Sequence, residues 1–390
     1  MKTDDRPRVH TASEQRWLEV RRYLTAHRFD LAVAAAEDYP TDRRVAGTPL
    51  LADPGWLPPA PFELDAAHLD LDPSRPGRLP PGLTGTGPAF DQVLPLGADD
   101  AQYPGYAAAL AALAPPTTFV NRPTYRLDDA DLVSARPSLR FGVGRYFDGL
   151  TIGEACAHEY AAHRLYGGGT PLRAAAGDPW DLTSRSTNVA ISTLTLRVDR
   201  AAGAASFLLH RRDPARVGHA GGLLQVIPVG VFQPSDPAPW NERHDFDLWR
   251  AIVRELSEEL LDTPEDYGSD RAPIDYTAWP FAAALDRARD RGQLTVRLLG
   301  MGTDPLTFAT DILTVVAFDA PAFDRIFADL ATDNAEGRII TTLNPGDVPA
   351  GIGIPFTQTT IDQIIRCEPI QAAGAGLLAL AWHHRAALMN

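Results

Sequence analysis

Cysteine is scarce in this 390-residue chain: Cys156 and Cys367 are the two, far apart in sequence. They cannot build a disulfide framework or a thiolate zinc site, and a reducing compartment suits them. Long apolar runs are missing too. No stretch approaches about 18 consecutive apolar residues, so no membrane-spanning helix is expected. The opening MKTDDRPRVH has no apolar core region and does not read as a signal peptide. The expected location is the cytoplasm. Positive charge is in deficit: 36 Lys and Arg against 50 Asp and Glu leave −14. Such a balance repels a phosphate backbone, so no nucleic-acid partner is expected. A small phosphorylated ligand remains compatible, because a bound divalent cation inverts the local field.

What is present is the composition of a folded globular protein, 45% apolar and 22% charged. The length asks for two domains, or one with a large elaboration. With 34 prolines and 31 glycines, long connections are expected, concentrated in the first half. Residues 13–37 read as one helix or two short ones, with Trp17, Val20, Leu24, Phe29, Leu31 and Val33 on an apolar face. Residues 39–104 are dense in Pro, Gly and Asp and predict an extended arm on the surface, or partly ordered loops. Helical character returns in YAAALAALA and in TIGEACAHEYAAHRLY, which GGGTPLR ends. Near residue 187 the pattern changes. NVAISTLTLRVD, ASFLLHRRD and GLLQVIPVGVFQ read as strands, DFDLWRAIVRELSEELL as a helix, LTVRLLGMGTD and DILTVVAFD as further strands. Helices close the chain. The expected class is α+β, a mixed sheet covered by helices, with residues 1–186 as an N-terminal extension and 187–390 as the second domain.

The chemistry is concentrated in residues 226–262. On a helix, Glu255, Glu258, Glu259 and Asp262 fall at offsets 0, 3, 4 and 7 and form one acidic stripe. Leu248, Ile252, Val253, Leu256 and Leu260 supply the apolar surface. Like charges at these spacings cost about 0.2–0.5 kcal/mol per pair. Solvent and Arg254 could offset that, and so could Mg²⁺, which takes carboxylate oxygens and keeps waters for a phosphate ligand.

The order Arg254-Glu-Leu-Ser-Glu-Glu-Leu260 resembles the REUxEE part of the Nudix box. Upstream, Ile227-Pro-Val-Gly-Val-Phe-Gln-Pro234 resembles the strand-to-loop passage of that family. The resemblance implies a Nudix-like α/β/α sandwich binding Mg²⁺ or Mn²⁺ through Glu255, Glu258 and Glu259. It also implies that Arg254 orients a carboxylate; Gly230 and Gln233 of the strand-to-loop passage are candidate substrate contacts, as is Trp240 of the insertion that follows, whose flat face would stack on a base or pack on the body. There are departures: Leu261 replaces a glycine, Val229 stands for the first of a glycine pair, and Gln233 replaces a frequent Glu. The segment from Gly230 to Arg254 is ten residues longer than the standard box. The inserted Ser-Asp-Pro-Ala-Pro-Trp-Asn-Glu-Arg-His (235–244) is a candidate substrate cover, and Asp245 and Asp247 are candidates for the displaced loop acid.

Most of the chain is also similar to actinobacterial proteins labelled transcriptional regulators. The shared stretches are Arg44-Val-Ala-Gly-Thr-Pro-Leu-Leu51, Asn121-Arg-Pro-Thr-Tyr-Arg-Leu127, Ala190-Ile-Ser-Thr-Leu-Thr-Leu-Arg197 and Pro273-Ile-Asp-Tyr-Thr-Ala-Trp-Pro-Phe281. No helix-turn-helix reader is visible, so a DNA-binding role does not transfer. The leading expectation is a metal-dependent hydrolase of a nucleoside diphosphate linked to another group. Its rivals are a non-catalytic sensor of a nucleotide or ADP-ribose-type ligand, and an interaction protein using the N-terminal arm. A homodimer is compatible with either.

Other motifs carry less. His158 and His163 are five apart, about 140° round a helix, where zinc ligands need four. Gly167-Gly-Gly-Thr170 lacks the ending of a P-loop and reads as a helix stop. Phe141-Gly-Val-Gly-Arg-Tyr146 has two glycines of a dinucleotide fingerprint without the third and reads as a turn. His210-Arg211-Arg212 ends a strand, with arginines in solvent or on a ligand phosphate. His383 and His384 are adjacent on a helix and point apart. No G-x-S-x-G elbow occurs.

Overall fold

The first helix starts where its capping residues place it. Thr11 accepts the amide of Glu14, and the Glu14 carboxylate returns to the Thr11 amide at 2.9 Å. In this computed structural model, which describes residues 9–76, 83–117, 119–213, 221–334, 337–343 and 353–389, α1 (Ala12–Ala26) and α2 (Arg28–Glu37) meet at His27. Short turns lead to β1 (Phe62–Glu63), β2 (His68–Pro76), α3 (Tyr106–Leu113), β3 (Pro123–Asp131) and β4 (Ser138–Arg145). Then come α4 (Tyr146–Tyr166), stopped by Gly167 at φ 76°, and α5 (Pro171–Ala176). The second half runs β5 (Val189–Asp199), β6 (Ala204–Phe207), β7 (Leu209–Arg212), β8 (Leu224–Val226) and β9 (Val229–Val231). It continues through α6 (Asn241–His244), α7 (Leu248–Leu261), α8 (Pro280–Asp290), β10 (Leu294–Thr303), β11 (Thr310–Asp319) and α9 (Ala320–Ile326). It closes with β12 (Asp333–Asn334), β13 (Gly337–Ile340), β14 (Ile354–Pro355), α10 (Gln358–Cys367), α11 (Ala372–His383) and α12 (Arg385–Met389). Among the described residues, no helix is long and apolar enough to cross a membrane.

Strands β5, β10 and β11 are buried almost end to end, as expected of strands covered on both faces, and their Ser192, Thr193, Thr195 and Thr314 hydroxyls are hydrogen-bonded inside. β5 lies parallel to β11, β10 is antiparallel to β11, and β1 adds to β10. The other edge of β5 is divided. Ala190–Ser192 pairs with β9, and Leu196–Asp199 pairs with β6. After β6 the chain leaves for a second sheet, ordered β12-β13-β7-β8, and returns from β8 to β9 through Ile227 and Pro228. The acidic helix α7 follows β9 and packs over it. Mixed sheets with covering helices make this an α+β protein.

One apolar core runs across residue 186. It joins Val45, Leu50, Trp56 and Leu64 of the arm and Tyr125, Leu127 and Phe141 of β3 and β4 to the strands and helices of the second half. The arm thus departs from the expected surface wrap between residues 41 and 66. Leu51 and Thr303 exchange backbone hydrogen bonds at 3.0 and 2.7 Å. The Leu50 side chain fills space left by Gly302 and Gly376, where an added Cβ would come within 2.5 Å of it. Full burial of such a side chain stabilises by about 1.5–3 kcal/mol, which holds a proline-rich segment in place without regular structure. The Phe141–Arg145 segment also departs from expectation: it is strand β4, not a turn. Gly142 leaves room for the Arg75 carbonyl, which would sit 2.7 Å from a Cβ there.

Helices α1 to α4 enclose smaller clusters of their own. At their centre Glu154 is buried between the guanidinium groups of Arg21 and Arg28. His158 is buried beside them, stacked on Trp17 with ring centroids 5.0 Å apart, and its Nδ1 lies 3.2 Å from the Tyr106 hydroxyl. Glu159 accepts the amides of Leu172 and Arg173 at the start of α5, both at 2.8 Å. These are packing roles.

Candidate functional site

Asp247 caps α7 by accepting the Arg250 amide at 2.9 Å, so the helix starts at Leu248 rather than at residue 245. The helix ends at Asp262, which takes the left-handed conformation at φ 51°. Leu248, Ile252, Val253, Leu256 and Leu260 are buried as their spacing predicts.

The three glutamates of the stripe have different surroundings. The Glu255 carboxylate lies flat against Gly230 of β9, where an added Cβ would be 1.8 Å from its Oε1. Glu258 accepts a hydrogen bond from the Tyr267 hydroxyl. Burial raises the Tyr267 pKa, and the charge of Glu258 raises it further, so this phenol stays a donor. Glu259 is 5% exposed. Its Oε1 accepts the Val229 amide at 2.8 Å, and its Oε2 stands 3.7 Å from His210 Nδ1. Burial pushes His210 down to about 4, with Arg212 adding to the effect, so the imidazole is neutral near pH 7. The Glu259 carbonyl accepts from Asn334 of β12 at 3.1 Å. Among the described residues, no three His, Cys, Asp or Glu side chains are grouped to hold one metal ion.

Arg254 is turned inward. Its Nη1 donates to the Tyr276 hydroxyl at 2.7 Å and lies 3.6 Å from Asp245, and its Nη2 donates to the main-chain carbonyl of Gln233 at 2.9 Å. Burial disfavours the charge, but Tyr276 and Asp245 outweigh it and hold the guanidinium above its ordinary value. Asp245 is fully buried and accepts the amide and hydroxyl of Ser235 at 2.8 and 2.6 Å. This single carboxylate ties both ends of the inserted loop to the helix. Below it, the rings of Phe232 and Phe246 sit 5.6 Å apart and pack on Tyr125 and Phe141.

Trp240 is 44% exposed, and its indole N–H donates to the Ser269 carbonyl at 3.0 Å. Asn241 donates to the same carbonyl at 2.9 Å. Residues 263–276 thus form a strap beside α7, fixed by Ser257 to Thr263, Tyr267 to Glu258, and Tyr276 to Arg254. Of the arginines ending β7, Arg211 approaches Glu368 at 3.9 Å and Arg212 donates to Gln225 at 3.2 Å.

No protein-family model matches the chain, and no curated protein does. Function therefore rests on the geometry and on the resemblance of the box. Tyr267 and Tyr276 are the site residues that motif reading did not assign, while Asp245, a candidate loop acid by sequence, is buried against Arg254 and Ser235. Tyr276 lies in the stretch Pro273–Phe281, and its hydroxyl accepts from Arg254 at 2.7 Å.

Proposed function

We infer that this is a Nudix-like protein that binds a nucleoside diphosphate linked to another group, of the ADP-ribose kind, without hydrolysing it. One observation carries the choice: Glu259, the last acid of the box, is buried with its carboxylate on the Val229 amide. Its Oε1 is on that amide and its Oε2 stands 3.7 Å from His210 Nδ1, so both oxygens already face groups of the protein. The hard oxygens of Glu255, Glu258 and Glu259 suit Mg²⁺ or Mn²⁺ chemically. As folded, however, Glu255 lies against Gly230, Glu258 meets a phenol and Glu259 a backbone amide, and no three such side chains among the described residues are grouped to hold one ion. In this arrangement the donor set does not fit the metal. The order of strand, loop and acidic helix supports the Nudix-like reading, as does Gly230 fitted under Glu255. Arg254, Asp245 and Tyr276 hold that frame together, as binding requires even where turnover has been lost.

Hydrolysis with Mg²⁺ or Mn²⁺ is the second reading, favoured by the half-buried Glu255 and Glu258 on one face of α7. The test is a panel of nucleoside diphosphate compounds, ADP-ribose included, with each metal, following phosphate-bond cleavage and thermal shift together. The expected result is a rise in melting temperature without cleavage. Metal-dependent cleavage that Glu258→Gln or Glu259→Gln abolishes would overturn the inference in favour of the hydrolase.

A further inference from the structure

The stretch Asn121–Leu127 lies outside the box, yet it builds a wall of the same region. The Tyr125 amide donates to the Phe232 carbonyl at 3.1 Å, just past β9, and its hydroxyl donates to the Glu242 carbonyl in the inserted loop at 2.8 Å. Asn121 Oδ1 accepts the Phe147 amide, and the Arg122 carbonyl accepts the Tyr146 amide, both at 2.9 Å. These two residues thereby hold the first turn of α4. Pro123 fixes the next φ. The Arg122 backbone is therefore set before any ligand arrives. Its guanidinium reaches across to the strap and donates to Glu265 at 2.7 Å. Glu265 stands two residues before Tyr267, whose hydroxyl meets Glu258. The Arg122 side chain is 33% exposed and that of Glu265 56%.

We propose that Arg122 binds the diphosphate of the ligand and that Glu265 occupies it in the unliganded protein. The assignment rests on the binding reading above and adds the cation that reading lacks, since Arg254 is committed to Asp245 and Tyr276. A guanidinium donates to phosphate oxygens in the forked geometry it uses for a carboxylate. In a chain of net charge −14, an anionic ligand needs local positive potential beside an acidic stripe. The positive end of the 21-residue α4, whose first turn Arg122 holds, adds the same sign. Exposed ion pairs are weak, so Glu265 can be displaced. The buried pairing of Glu154 with Arg21 and Arg28 has no such freedom.

The experiment is calorimetric titration of ADP-ribose into the full chain as wild type, Arg122→Ala, Arg122→Lys, Glu265→Gln and the Arg122→Ala/Glu265→Gln double variant. Melting temperatures are recorded alongside to confirm folding. Arg122→Ala weakens binding by about tenfold or more, and Arg122→Lys by less, because it keeps the charge and loses the fork. Glu265→Gln tightens binding by about two- to fivefold, since the competitor loses its charge. The double variant matches Arg122→Ala, because Glu265 acts only through Arg122. If wild type binds while all four variants bind equally well, or Glu265→Gln binds more weakly, the assignment of Arg122 falls and the binding reading stands. If no form binds ADP-ribose or another member of the panel, both fall together.

Discussion

Removing the Asp245 carboxylate should destabilise the protein more than any change to the glutamates of the stripe. Asp245→Ala leaves Arg254 buried without its counter-charge and strips the Ser235 amide and hydroxyl of their acceptor. Breaking one side of a buried ion pair costs about 3–5 kcal/mol. An unfolding entropy of about 2.1 cal/mol/K per residue gives about 0.8 kcal/mol/K for this length, so the melting temperature should fall by about 4–6 °C. The second arm of the test is Asp245→Ala with Arg254→Met. Replacing both partners removes the stranded charge, and the double variant should recover at least half of the loss. Differential scanning calorimetry on the four proteins measures the cycle. A drop below about 1 °C for Asp245→Ala, or a double variant no better than Asp245→Ala alone, would refute the role given to this carboxylate.

Gly230→Ala places a methyl 1.8 Å from Glu255 Oε1; overpacking of this kind costs about 1–3 kcal/mol, or about 1–4 °C. Adding Glu255→Ala should restore the melting temperature, and failure to do so would mean that the strain lies elsewhere. Trp240→Ala should lower the melting temperature by less than about 2 °C, because Asn241 still donates to the Ser269 carbonyl, while ADP-ribose binding weakens by about tenfold through lost stacking. The reverse outcome, lower stability with binding intact, assigns Trp240 to packing. Burial pushes His158 down to about 3, with Arg21 adding to the shift and Glu154 opposing it. The unfolded chain takes up the proton near pH 6.5 and the folded chain does not, so stability should fall as pH drops from about 6.5 toward 3. His210, pushed down to about 4, contributes with the same sign. His158→Gln should flatten that slope in urea titrations; an unchanged slope would remove His158 as its source.

Much of the frame was legible in the residues before any fold was known. The offsets of Glu255, Glu258 and Glu259 against Leu248, Ile252, Leu256 and Leu260 specify α7 and its two faces, because a helix repeats every 3.6 residues whatever surrounds it. β-rich runs bounded by turn residues mark β5, β10 and β11, and an apolar face marks the helices of residues 13–37. The partners were decided in three dimensions. Arg254 faces Asp245 and Tyr276, residues nine back and 22 ahead, since a buried charge takes whichever acceptors the packed elements deliver, and periodicity carries no record of them. Glu259 looks identical to Glu258 in sequence, yet one faces a strand amide inside and the other a tyrosine on the strap, because 100° of helical rotation separates them. The proline-rich arm reads as exposed from composition alone. It enters the core at Val45, Leu50, Trp56 and Leu64, and at Leu50 the space is left by Gly302 and Gly376, some 250 and 325 residues farther along.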